Sequence, residues 1–280
     1  MSASTVLVVL FAALLHASWN ALVKAGPNKL FGTVLVTTGA GMIALLLLPF
    51  APLPAVASWP WLAASMCCQV VYYLLLAAAY HHGDMGHAYP LMRGAAPLLV
   101  TIVSIPLLGE TLSVQQYVAI GLICAGVFAM SLQSKAHDGS AARRATAYAL
   151  LNAAVIACYT VIDGIGVRLS GAPAAYTMWL FLLTAIGLLL AVVGRRHQLL
   201  QYGRLHWRVG LLGGFGTMAS YGLALWAMTS APVAVVAALR ETSILFASLI
   251  AFIFLRERVG ARRVLAVGLI ACGAAAMRFA

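Results

Sequence analysis

Long apolar runs recur from one end of the chain to the other, separated by short stretches carrying Gly, Pro, Lys or Arg. A run of about 20 apolar residues wound as a helix covers ~30 Å, the thickness of bilayer hydrocarbon. With turn and charge signals taken as breaks, the pattern predicts ten helices over residues 3–23, 31–50, 59–80, 86–107, 113–132, 145–167, 174–194, 208–229, 233–255 and 262–278. The connections are short, with Ala25-Gly26-Pro27-Asn28 a tight turn, and the longest polar link, 133–144, falls in mid-chain. The expected fold is an all-α integral membrane protein.

Composition agrees. Of 280 residues, 64% are hydrophobic and only 8% charged, with mean hydropathy +1.00. A soluble domain carries about 25% charged residues, so the pattern leaves no room for a separate soluble domain. The first run lacks a basic start and contains His16, Trp19 and Asn20, so it reads as a retained helix and not a signal peptide. The five cysteines (Cys67, Cys68, Cys124, Cys158, Cys272) sit inside apolar runs with neither disulfide nor zinc spacing, and read as small apolar core residues. A net charge of +11 raises the question of nucleic acid. The placement of the charges argues against it. Links after helices 1, 5, 7 and 9 hold 13 of the Lys and Arg residues, the opposite side has only Arg168 and Arg278, and Arg93 and Arg240 fall inside spans. Basic residues concentrate in cytoplasmic loops, which places both termini outside, across a bacterial inner membrane.

The halves of the chain repeat each other at an offset of 147 residues. Arg93 meets Arg240, Glu110 meets Glu257, Gly121-Leu122-Ile123 meets Gly268-Leu269-Ile270, Gly126 meets Gly273, and Ala129-Met130 meets Ala276-Met277. Rare charges and glycines matched at one offset indicate a duplication. Residues 1–132 form one five-helix repeat, 133–144 the link, and 145–280 the other. An odd number of helices per unit makes the second copy enter the membrane from the other side. Such inverted repeats characterise secondary transporters, whose substrate site lies near the midplane between the copies.

On these features the sequence resembles the drug/metabolite transporter superfamily, and within it the ten-helix EamA-type members. The resemblance is carried by His16-Ala17-Ser18-Trp19-Asn20 with Lys24, by Leu108-Gly109-Glu110-Thr111-Leu112 before the glycine-rich helix 5, and by the echo Leu255-Arg256-Glu257-Arg258. It implies a central cavity surrounded by helices 1, 3, 4, 6, 8 and 9, with helices 5 and 10 peripheral. It implies transport of metabolites such as amino acids or nucleotide-sugars, driven by protons or by exchange. The usual family orientation has both termini in the cytoplasm, the reverse of the charge count here.

A charge at the centre of a membrane helix costs ~2.5–3.5 kcal/mol and so needs a partner or a wet cavity. Arg93 and Arg240 lie well inside their helices at equivalent positions, and guanidinium forks bind carboxylate or phosphate in bidentate fashion. The alternative is a structural ion pair with Asp163 or Glu241. Glu241, adjoining Arg240, and Asp163 are candidates for proton coupling. Asp163 shares a stripe of helix 6 with Asn152 and Tyr159. Further substrate-binding candidates are His16, Trp19 and Asn20 on one face of helix 1, Gln69, Tyr72 and Tyr73 in helix 3, Tyr89 one turn before Arg93, and Tyr221 and Trp226 in helix 8. Each has a plainer reading as packing or interhelical bonding. Pro97 cannot donate to the carbonyl of Arg93. The glycines Gly210, Gly213, Gly214 and Gly216 read as close helix packing, and Glu110 and Glu257 as structural groups at helix ends. The cluster from His81 to His87 holds several metal-binding side chains but no zinc spacing, and reads as a polar loop with no metal.

The expected function is therefore secondary active transport of a small polar molecule with an anionic group, such as an amino acid, organic acid or phosphonate-like compound. The protein would act as a monomer or homodimer in the lipid bilayer, without nucleic acid. No nucleotide-binding motif or cofactor motif is present, and no HExxH or GxSxG constellation suggests an enzyme. An exporter of cationic compounds is the alternative; two central arginines argue against it.

Overall fold

A computed structural model describes residues 2–82, 85–131, 140–255 and 260–279. The regular elements are all helical: α1 (Ala3–Ala25), α2 (Lys29–Leu47), α3 (Trp59–His82), α4 (Met85–Leu108), α5 (Val114–Ser131), α6 (Ser140–Ser170), α7 (Pro173–Ala191), α8 (Arg196–Met228), α9 (Val233–Arg240), α10 (Ser243–Leu255) and α11 (Ala261–Arg278). The α9–α10 pair forms a single crossing, so ten crossings result, as the hydrophobic pattern predicts. Local chemistry sets several starts. Ser2 and Asn28 accept from the amides of Thr5 and Phe31 at 3.2 and 3.0 Å, and Pro173 opens α7.

Two elements depart from the pattern. The first is α8, whose 33 residues would run ~50 Å as one rod, longer than the bilayer is thick. It bends at His206, which leaves helical geometry at φ −121°, ψ 19°. The kink separates a basic segment, Arg196 to Leu205, from the crossing proper. The second is the ninth crossing, expected as one helix over 233–255. It divides after Arg240. The amides of Glu241 and Thr242 donate three residues back, to Ala238 and Leu239, at 3.0 and 3.1 Å, the tighter 3₁₀ pattern. The Thr242 hydroxyl also donates to the carbonyl of Leu239 at 2.7 Å. A threonine that competes for the helix ladder in this way disturbs it.

The packing obeys a pseudo-two-fold. α3 packs on α6 and α7, as α8 packs on α1 and α2; α4 packs on α6, as α10 packs on α1. Pairs α2–α7, α4–α9 and α5–α11 each contact their own equivalent across the axis. The α5–α11 contact shows the symmetry at atomic level. A Cβ on Gly126 would stand 2.6 Å from Ile270 Cγ1 and 2.7 Å from the carbonyl of Ala266. A Cβ on Gly273 would stand 2.7 Å from Ile123 Cγ1 and 2.8 Å from the carbonyl of Ala119. All four contacts exchange at the offset of 147. The glycines of α8 serve the same end against α2. A Cβ on Gly213 would meet Val36, one on Gly214 the backbone of Gly39 and Ala40, and one on Gly39 would collide with the carbonyl of Gly210. Close backbone approach is how helices gain packing energy where lipid supplies no hydrophobic drive.

One end of the bundle is tied by Arg168 and Glu110. Arg168 donates to the carbonyls of Met228 and Ala231 at 2.8 and 3.0 Å and to Glu110 at 2.9 Å. Glu110 accepts from the amide of Val233 at 2.8 Å, satisfying a free donor at the start of α9. The carboxylate at the end of α4 thus caps a helix of the other half. Gly83, Asp84 and Glu257 lie outside the described residues, as do the side chains of Lys24 and of His81 to His87. The cysteines correct their expected role. Cys124 alone is buried; Cys68 is half-buried, and Cys67, Cys158 and Cys272 are exposed. A weakly polar thiol is tolerated on a lipid-facing surface as well as in a core.

Gly126→Ala is expected to destabilise the protein by about 1–3 kcal/mol through overpacking. Gly121→Ala, in the same helix with nothing within 4 Å of the added methyl, is expected to be neutral or slightly stabilising by helix propensity. Thermal unfolding in detergent distinguishes the two.

Candidate functional site

Residues from seven of the ten crossings converge in the middle of the bundle. The tightened turn after α9 is decisive for two of them. Successive residues of an α-helix point ~100° apart and those of a 3₁₀-helix ~120°, so Arg240 and Glu241 face different neighbours. Glu241, 4% exposed, turns to α4 and accepts from Nε of Arg93 at 2.9 Å. Arg240, 8% exposed, turns to α8 and lays its guanidinium 4.7 Å from the ring centroid of Tyr221. The two equivalent arginines are therefore not in equivalent states. Arg93 is neutralised by a carboxylate from the other half, and Arg240 is stacked on an aromatic face.

Position 94 explains why the first half has no counterpart of Glu241. A Cβ on Gly94 would already stand 3.2 Å from the ring of Phe128, a tight contact in which the ring must shift to admit a side chain. The site thus holds two arginines and one adjoining glutamate. The pairing of Arg93 is also incomplete: its Nη2 is buried and has no hydrogen-bond partner among the described residues. The buried Nε1 of Trp19 is in the same condition.

The second carboxylate, Asp163, is fully buried in α6 and forms no ion pair with an arginine among the described residues. It accepts from the hydroxyls of Tyr221 at 2.6 Å and Tyr176 at 3.0 Å. Gly166, one turn further along α6, makes this possible, because a Cβ there would collide with the Tyr176 hydroxyl. Tyr221 thus joins two charges, donating its hydroxyl to Asp163 and offering its ring to Arg240. The aromatic wall continues through Tyr159, 6.3 Å from Tyr221, to Tyr72 at 5.9 Å and Tyr73 at 4.9 Å beyond, while Phe181 flanks Tyr221 at 6.3 Å. Edge-on rings at these distances form a stiff surface.

His16, Tyr89 and Tyr159 lie within electrostatic reach of both arginines. His16, Tyr73 and Tyr89 are each half-buried. Trp19 meets His16 edge-on at 5.2 Å.

Three expected site residues do not join this group. Asn20 donates back to the carbonyl of His16 at 2.9 Å, bonding its own helix. Gln69 links α3 to α7, with Ser65 and Thr184 each at 3.5 Å. Trp226 is 44% exposed near the end of α8; its polar–aromatic character suits a membrane interface as well as a cavity. Conversely, Tyr176 and Phe181 of α7 were not among the candidates. Their run is so apolar that nothing marked them, and Gly166 on a polar stripe was the available signal.

The fold and its midplane charges define a class, the ten-helix membrane transporter built as an inverted repeat. The EamA-like transporter family model matches residues 3–132 and again 143–279, once for each half. The chain belongs to the EamA-like transporter family, and so is a membrane transporter of the drug/metabolite type, which points away from an enzyme. A solved structure described only as "Crystal structure of protein" superposes with TM-score 0.76 at 19% identity, over 99% of this chain and 96% of that one. At that identity the likeness is one of fold. No curated protein matches the chain.

Removing one partner of a buried ion pair strands the other, at a cost of about 3–5 kcal/mol. Arg93→Met and Glu241→Met are each expected to destabilise the protein by that order. The double variant is expected to recover most of the loss, and a double-mutant cycle read by thermal unfolding measures it. Additive losses would show that the two groups are not coupled.

Proposed function

We propose that the protein is a secondary transporter of a small polar metabolite bearing an anionic group, with Arg240 as the group that captures the anion. The observation that carries this reading is the state of Arg240, a buried guanidinium with no carboxylate partner among the described residues. A buried, unneutralised cation is costly. Stacking on Tyr221 offsets part of that cost, and a guanidinium fork can donate two hydrogen bonds to a carboxylate or phosphate. The unpaired Nη2 of Arg93 is a second donor near the same place. The two arginines and two carboxylates of the cluster balance when all are charged, so an anion bound there is accommodated when one carboxylate takes a proton.

Glu241 and Asp163 supply the coupling in this reading. Glu241 holds Arg93 while the site is empty, and an anion that engages Arg93 weakens that hold and lets the carboxylate take a proton. Asp163, bonded by two tyrosine hydroxyls, is the second titratable group. Transport follows by rocking of one repeat against the other, driven by a proton gradient or by exchange. The distribution of Lys and Arg supports both termini lying outside a bacterial inner membrane.

Uptake into proteoliposomes with labelled anions, zwitterions and cations tests the reading. Transport of an anionic or zwitterionic compound is expected, and Arg240→Ala is expected to lower kcat/KM about 100-fold, the loss typical of a buried charge contact. Transport of cations, with Arg240→Ala and Arg93→Ala both fully active, would replace this reading with export of cationic compounds. A fluorescent reporter fused after Ala280 is expected to stay dark outside the cytoplasm; bright cytoplasmic signal reverses the orientation.

A further inference from the structure

The segment before the kink in α8 has an unused chemistry. A groove of about 360 Å³ opens between it, α2 and α7. Leu35 and Thr38 of α2, Leu189 of α7, and Leu200, Gly203 and Arg204 of α8 line it. The Thr38 hydroxyl is spent on the carbonyl of Val34 at 2.8 Å, so its methyl is what it presents. The groove is apolar except for one guanidinium. The same stretch of chain carries Arg195, Arg196 and Arg208, all exposed, with Leu205 and Trp207 exposed by 81% and 53%.

The equivalent link in the first half, Leu48 to Ser58, carries no basic residue. The arrangement is thus not a by-product of the duplication. It belongs to the end of the bundle where basic links concentrate. Three features together select one ligand. The apolar groove suits a hydrocarbon chain and offers a free soluble anion nothing to bind. The arginine in its lining suits a phosphate. The other arginines of the same stretch add attraction to an anionic surface, about 1 kcal/mol for each near a charged leaflet.

We propose that this groove binds an anionic phospholipid, one acyl chain lying between α2, α7 and the first segment of α8, with the headgroup phosphate on Arg204. Because α2 comes from one half and α7 and α8 from the other, the lipid bridges the two halves and its occupancy biases their relative position.

The test uses the purified full chain in detergent, with dioleoyl-phosphatidylglycerol, dioleoyl-phosphatidylcholine and inorganic phosphate as probes, read by native mass spectrometry and by the shift in Tm. Phosphatidylglycerol is expected to be retained and to raise Tm, with the other two having little effect. Arg204→Gln is expected to weaken its binding at least threefold. Gly203→Leu is expected to abolish the shift by filling the groove; Leu35 Cδ1 lies 3.5 Å from the added Cβ, an ordinary contact that the fold tolerates. Arg143→Gln with Arg144→Gln removes two exposed charges from the start of α6, on the same side, and is expected to leave binding unchanged. Equal loss in that control would mean diffuse surface attraction and overturn the site. Equal stabilisation by phosphatidylcholine or by phosphate would overturn the selectivity.

Discussion

A charge held inside a membrane protein must be answered by another group, and the centre of this molecule is arranged around that requirement. The 2.9 Å contact between Arg93 and Glu241 answers one charge of each sign, and it does so across the boundary between the repeats. A link of this kind is strong where dielectric is low, yet it is not covalent. Other groups that offer Arg93 a carboxylate compete with it directly. The two repeats are therefore joined at the middle of the bundle by a buried ion pair.

The duplication supplies a frame and the departures from it supply the chemistry. Outside the centre the two halves treat each other alike, as the reciprocal contacts of Gly126 and Gly273 show. At the centre they do not. Phe128 packs closely on Gly94, and only the second copy carries a glutamate after its arginine. Two arginines that are equivalent in sequence end in different company, one in an ion pair and one on a tyrosine ring. A symmetric pair would repel. The asymmetric arrangement leaves one fork engaged and the other open.

Much of this was legible in the sequence, for identifiable reasons. Ten crossings follow from apolar runs because hydrocarbon thickness fixes helix length. Arg93, Arg240, Glu241 and Asp163 stand out because charges are rare in such runs. What sequence spacing could not supply was pairing. Arg93 was open to a bond with either Asp163 or Glu241, and a one-dimensional pattern cannot choose between partners on different helices. The tyrosines around Asp163 include Tyr176, hidden in a uniformly apolar helix. Asn20 and Gln69 were chosen for their polarity, but amide side chains near backbone or hydroxyl groups satisfy themselves locally. The division of the ninth crossing was also hidden, since no Gly or Pro marks it.

That division has a mechanical meaning. A 3₁₀ turn advances ~2.0 Å and ~120° per residue, against ~1.5 Å and ~100° in an α-helix. If the turn at Glu241 and Thr242 relaxed to α-geometry, α10 would rotate by ~20° and retract by ~0.5 Å for each residue converted. The ninth crossing is in effect a short screw thread, with Arg240 and its Tyr221 contact just before the thread and Glu241 with its Arg93 contact on it. Turning that thread would shift one contact relative to the other.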